Sequence, residues 1–459
     1  MVNKVLLLDV VGLTPRLLQH APRLRRVAEQ GWQTPLETVL PAVTCSVQSS
    51  MLTGLPPREH GAVGNGWYFR DLGEVYLWRQ HNRLVTGEKV WETARRADPG
   101  FRTANVCWWY AMGASTDWTI TPRPVYHADG RKSPDCYTWP PELHEELTGA
   151  WGPFPLFHYW GPTASLRSTE WIVAATRRLL PEADLTLAYV PHLDYDLQRH
   201  GPDSPQALSA VRDVDRAVAP LLDDAQEQDA TVVVVSEYGI TPASHPVDIN
   251  RALRGAGLLE VYTQHGMEYL DPWTSRAFAV ADHQVAHVYV QNPADLDPVR
   301  DLCRHLPGVD LVLDRAAQHD FGIDHHRAGE LVLVAEPRSW FTYYYWLDDA
   351  HAPDFARGVD IHRKPGYDPA ELFLDPADRT VKLRAALGLV RKKLGLRYAM
   401  NVVPTTGRWV MGTHGRLPDD PLDGPVLLCS DPSSRRDSMS ASAVRDLVLD
   451  LAAVPQSTR

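Results

Sequence analysis

Residues 5–11 form an apolar run interrupted only by Asp9, and residues 17–30 carry apolar positions at helical spacing up to Gly31. A run apolar at successive positions has no solvent face, which predicts a strand buried on both sides of a parallel sheet. This pairing of short apolar runs with amphipathic stretches continues down the chain. Helices are predicted over 46–53, 89–97, 168–180, 206–228, 247–256, 298–305 and 441–452. Strands are predicted over 103–108, 185–190, 231–235, 287–290 and 331–335. Strands alternating with helices predict an α/β fold built on a mostly parallel sheet flanked by helices.

Two stretches break the pattern. Between 66 and about 160, Trp and Tyr become dense, with Pro and Gly punctuating short segments. Residues 338–396 repeat this character, with Trp-Phe-Thr-Tyr-Tyr-Tyr-Trp at 340–346 and a Pro-Gly turn at 365–366. Long ordered loops in α/β enzymes are commonly functional lids. The organisation expected is therefore core at 1–110, an aromatic-rich lid insertion at 111–162, core again at 163–337, a second insertion at 338–396, and core closure at 397–459.

Acids recur where strands end. Asp9 closes the first strand, Asp194 follows the strand at 185–190, and Glu237 follows the one at 231–235. Strand ends of an open parallel sheet gather at one edge, where such sheets bind ligands. Three acids at that edge repel one another unless a cation sits among them, so a metal centre is expected. The stretch 41–65, PAVTCSVQSSMLTGLPPREHGAVGN, adds a lone Thr44 in a turn before a helix, and Asn65. A Thr hydroxyl is a poor nucleophile until a base or metal activates it. The alternative role for Thr44 is as a cap of the helix that follows.

The order of Asp9, Thr44, Gly54, Pro56-Pro57, His60-Gly61 and Asn65 resembles the nucleotide pyrophosphatase/phosphodiesterase branch of the alkaline phosphatase superfamily, its phosphonoacetate hydrolases most closely over 41–65. The resemblance extends over roughly 3–65, 185–255 and 405–415 and implies an alkaline phosphatase-like fold. It implies Thr44 as nucleophile, Asn65 as the clamp on a phosphoryl oxygen together with the Cys45 N–H, and two divalent metal ions, zinc in the family. One ion would be held by Asp9, Thr44 and Glu237, the other by Asp194 and His414 of Gly-Thr-His-Gly 412–415. Two imidazoles of the family pattern are replaced. Gln198 stands four residues after Asp194, and Tyr238 follows Glu237. Oxygen-rich sites favour harder ions, so these changes lean the site toward manganese, magnesium or a single metal. His200 or His245 is expected to complete a site, and His192 and His362 are further candidates, while His325-His326 has no family slot. Cys45 resembles the sulfatase nucleophile position, but the Pro and Arg needed for its modification are absent.

The implied activity is metal-dependent hydrolysis of a phosphodiester or pyrophosphate bond through a phospho-threonine. Phosphonoacetate-type C–P hydrolysis, or a catalytically weakened binding protein of the same fold, are the alternatives. The substrate is expected to be a small-molecule phosphodiester, pyrophosphate or phosphonate. A net charge of −11 argues against a nucleic-acid scaffold. Five separated cysteines without a CxxC pair argue against a disulfide framework. With no apolar run of membrane-spanning length and no leader-like segment, a cytoplasmic protein is expected.

Overall fold

The computed structural model describes residues 3–128, 132–396 and 398–454; residues 129–131 of the first insertion, and 397 and 455–459 of the closing segment, lie outside it. Among the described residues the largest sheet has nine strands. Its order is Met439–Ser440, Trp32–Glu37, Val426–Cys429, Thr231–Val235, Val5–Val10, Leu185–Val190, Thr103–Val106, Trp118–Pro122 and Cys136–Trp139. The central strands pair in parallel: Val5–Val10 lies between Leu185–Val190 and Thr231–Val235, with Asp9 level with Tyr189 and Val235. All three are fully or almost fully buried, as their unbroken apolar runs predict. Helices Leu166–Leu179 and Pro205–Glu227, both amphipathic, cover the sheet.

The structure departs from the sequence pattern in three places. The helix expected over 17–30 is two helices, Pro15–Leu18 and Pro22–Gln30. Pro22 has no N–H for a helix interior, so it opens a second helix instead. The strands expected over 287–290 and 331–335 do not continue the main sheet. They belong to a separate antiparallel sheet in the order Ala277–Asp282, Val285–Val290, Leu331–Ala335, Val309–Leu313. Within the insertions, 118–122 and 136–139 extend the edge of the main sheet, and 340–346 is buried against the second sheet.

Gly239, directly after the Glu237-Tyr238 pair, shows how tightly the site's floor is held. A Cβ on it would lie 1.7 Å from the Asp423 carbonyl oxygen and 2.9 Å from Thr14 Cγ2. Backbone atoms cannot swing aside as a flexible side chain does. Gly239→Ala is therefore expected to destabilise the fold by about 3 kcal/mol, read as a lowered midpoint in chemical denaturation. A midpoint like that of the unaltered protein would show that the 420–425 turn yields.

Candidate active site

Parallel register brings the acids together. Asp9 ends the strand at the sheet centre, Glu237 lies two residues past Val235 on the adjacent strand, and Asp194 sits in the first turn of the helix His192–His200. All three are buried. Thr44 opens the helix Thr44–Thr53, every residue of which is buried. Its side chain does not cap that helix: the cap position is Val43, and no side-chain cap bond forms. The Thr44 hydroxyl instead lies 3.2 Å from the Tyr238 hydroxyl, and the Glu237 carboxyl faces both it and Asp9. The short strand Gly412–Thr413 pairs with Thr241–Pro242 and delivers His414 beside Tyr238, the rings stacked 3.5 Å apart.

Burial sets the electrostatics. Desolvation pushes Asp9 up to about 7, against hydrogen bonds that favour its charge. Desolvation and the Glu237 charge push Asp194 up to about 7. Glu237 lies well above the usual carboxylate range through burial and the nearby Asp9. Burial likewise holds His414 and His283 well below the usual imidazole range, so both rings are neutral at pH 7.

The site contains residues that the sequence pattern did not single out. The Gln48 amide, one helical turn after Thr44, donates to Asp9 Oδ2 (3.1 Å) and Glu237 Oε1 (2.7 Å). Asp282 and His283 come from the end of the strand Ala277–Asp282 and the tight turn after it. Asp282 accepts hydrogen bonds from the Asn65 backbone N–H (2.7 Å) and from Asn65 Nδ2 (3.0 Å). It also accepts from His283 Nδ1 (2.8 Å), which leaves His283 Nε2 without a partner among the described residues. His283 takes a φ of 59°, a backbone state uncommon outside glycine and concentrated at functional sites. The Cys45 N–H, expected to bind a phosphoryl oxygen, is donated to Asn65 Oδ1 at 3.0 Å. Of the two expected clamp donors, only the second hydrogen of Asn65 Nδ2 is uncommitted.

Whether these residues suit metal ions differs between the two positions. At the first, Asp9 Oδ1 and Glu237 Oε2 are buried and have no hydrogen-bond partner among the described residues. With the Thr44 hydroxyl they offer an all-oxygen donor set, which suits a hard divalent ion. At the second, His414 Nδ1 is tied to the Ala42 carbonyl (2.8 Å), and its Nε2 lies 3.9 Å from Asp194 Oδ1. Both Asp194 oxygens already accept hydrogen bonds, Oδ2 from Gln198 Nε2 (2.8 Å) and Oδ1 from the Tyr238 hydroxyl (3.4 Å). Among the described residues, no third His, Cys, Asp or Glu donor completes that position. His200 and His245, expected to do so, are both exposed. His362 is half-buried on the cavity wall with Nδ1 on the Leu77 carbonyl, and His192 is buried. Among the described residues, only Asp135, Cys136 and His144, in the first insertion, bring three His, Cys, Asp or Glu donor atoms within 4.8 Å of one another.

Above Thr44 opens a cavity of about 160 Å³. Thr44, Asp194, Tyr238 and His283 form its floor, and Trp78, Trp109, Trp160, Tyr195 and Tyr367 its walls. Both insertions reach it, through Tyr126 and Lys132 and through Asp360 and His362. Lys132, the one Lys or Arg on its described lining, is 3.2 Å from Asp360.

Among known proteins, this chain is similar in fold to the phosphonoacetate hydrolase of Sinorhizobium meliloti in complex with phosphonoformate. The TM-score is 0.63 at 16% identity, over 98% of this chain and 96% of that one. It is similar also to murine ectonucleotide pyrophosphatase/phosphodiesterase 5 in complex with AMP, with a TM-score of 0.60 at 15% identity over 100% and 96%. An uncharacterized pyrophosphatase/phosphodiesterase of Schizosaccharomyces pombe is 25% identical over 247 residues, 51% of this chain. That match spans 42% of the curated relative's length. A model of the type I phosphodiesterase/nucleotide pyrophosphatase family matches residues 5–368. No described helix is long and apolar enough to cross a membrane. The chain belongs to the type I phosphodiesterase/nucleotide pyrophosphatase family.

Proposed function

We propose that this protein hydrolyses a phosphodiester, pyrophosphate or phosphonate ester, with Thr44 as the group that attacks phosphorus and becomes transiently phosphorylated. The observation that carries this reading is the Thr44 hydroxyl, free of any capping duty and set between buried acids on the floor of the cavity. Asp9, Glu237 and the Thr44 oxygen would hold a divalent cation. Such an ion, when bound, lowers the pKa of the hydroxyl and offsets the negative charge of the acids. Asn65, held in place by Asp282, would offer its remaining amide hydrogen to a phosphoryl oxygen. The helix N-terminus behind Thr44 favours the same anion. Tyr238 holds the Thr44 oxygen in position through its hydroxyl. The aromatic walls exclude water and receive the organic substituent of the ester.

The substrate's charge follows from the cations present. Asn65 is a neutral clamp, and Lys132, the one Lys or Arg on the described lining, is engaged by Asp360. A dianionic monoester would enter poorly compensated, whereas a monoanionic diester or phosphonate monoester needs less positive charge. We expect a chromogenic diester or phosphonate ester to be cleaved about tenfold faster than the matching monoester, or about 1.4 kcal/mol in transition-state stabilisation. Side-by-side kcat/KM measurements with added Mn²⁺ or Zn²⁺ decide it, and a preference for the monoester rejects the assignment.

A weakened binding protein of the same fold is the second reading. It is favoured by Gln48 and Gln198, whose amides donate to one oxygen of each buried carboxylate without a cation. It gives saturable binding of ester analogues with no turnover under the same assay.

A further inference from the structure

We infer that this chain holds one divalent cation, at Asp9, Glu237 and Thr44, and that the Asp194–His414 position is a hydrogen-bonded station that takes none. The inference rests on the proposed function only in placing the single ion beside Thr44.

The second position is filled by the protein itself. Gln198 lies one helical turn beyond Asp194, on the same face of the helix His192–His200, and points its amide nitrogen at Asp194 Oδ2. An ionised carboxylate oxygen can only accept, and the NH₂ end of the amide faces it. The Tyr367 hydroxyl, 3.1 Å from Gln198 Oε1, fixes the other end. The partial positive charge of that amide thus stands where an ion would need electron pairs. The Tyr238 hydroxyl occupies the other side, between Thr44 and Asp194 Oδ1.

Four rings then close the space. Tyr367, His283, His414 and Tyr238 follow one another at centroid separations of 3.6, 3.7 and 3.5 Å. An ion there would have to displace the amide and the phenol and would keep two protein donors, one fewer than a catalytic zinc site uses. His414 Nε2 is buried and without a partner among the described residues, so what bars an ion is Asp194, both of whose oxygens are engaged. The acids of the first position are the reverse case. Gln48 engages one oxygen of each acid and leaves the other pair buried and unpartnered among the described residues, with the Glu237 carboxyl facing Thr44. Two adjacent carboxyls with orphaned oxygens are a cation site by charge as well as by donor count.

The experiment counts ions. Protein stripped with chelator is dialysed against Mn²⁺ alone, and bound metal per chain is measured by plasma mass spectrometry, with affinity from the free-Mn²⁺ resonance signal. The expected result is one ion per chain. Asp9→Asn and Glu237→Gln are expected to weaken it by at least about tenfold, while Asp194→Asn keeps one ion. Two ions on the unaltered protein, none, or an ion lost with Asp194→Asn overturns the inference. The count on the unaltered protein needs no variant to fold, and it needs no turnover. A protein that binds one ion but cleaves no ester therefore removes the hydrolytic reading and leaves this inference standing.

Discussion

Thr44→Ala is expected to leave a folded protein whose ester hydrolysis falls at least about a thousandfold. The size follows from the role: loss of an attacking group removes the covalent route altogether, and what remains is the catalysis supplied by binding and positioning. The fold should hardly notice. Thr44 does not cap its helix, and the Tyr238 hydroxyl is the hydrogen-bond partner the alanine would lose. Loss of one such bond costs about 1 kcal/mol. The alanine methyl also fits a helix start buried on every side. Steady-state kinetics beside a thermal melt make the measurement. A variant that melts normally and retains turnover within about tenfold would mean that another group attacks phosphorus.

Lys364→Met is expected to be the most destabilising single change in the layer behind the cavity wall, costing about 3–5 kcal/mol. Lys364 is buried with Asp368 at 2.7 Å and Glu371 at 2.8 Å. Burial works against its charge, but the two acids outweigh that and leave it above the usual lysine range. Glu371 behaves oppositely. Burial and the charge of Asp368 raise it more than Lys364 and the Trp160 indole lower it, which makes the lysine the group that keeps the cluster viable. Methionine preserves the length of the side chain while stranding two buried acids without a cation. Glu371 also accepts from the Trp160 indole (2.6 Å) and the Asp360 backbone N–H (2.8 Å), so the second insertion and the cavity wall loosen together. Denaturant titration gives the number. A loss under about 1 kcal/mol would mean that water reaches the cluster.

The legible part of this fold was its central sheet. The runs at 5–10, 185–190 and 231–235 are apolar at nearly every position, and the structure makes each a strand buried on both faces. Strand ends then made Asp9, Asp194 and Glu237 readable as neighbours despite their separation in the chain. The second sheet was harder to read, because its turn at His283-Gln284 carries none of the Gly or Asn that mark hairpins. Two of its strands, the edge strand Ala277–Asp282 and its neighbour Val285–Val290, are also buried throughout and lose the alternation of a half-exposed sheet.

The same limit governed the site. His200 looked suitable by closeness in sequence to Asp194, yet six residues along a helix turn it to another face, while Gln198 at four residues stays beside Asp194. Gln48, Asp282 and His283 had no signal of their own, since an amide, an acid and an imidazole on unrelated elements become a group only through tertiary packing. Their roles are visible afterwards in the hydrogen bonds of Gln48 to Asp9 and Glu237 and of Asp282 to Asn65 and His283.

That shared carboxylate has a consequence for how the site can vary. Asp282 Oδ1 serves Asn65 Nδ2 and His283 Nδ1 at once, so a change at either residue alters the anchoring of the other. Substitutions at the two positions are therefore epistatic, with a double replacement costing something other than the sum of the singles. Over evolutionary time, Asn65, Asp282 and His283 are free to drift only as a set, although 217 positions separate the first two.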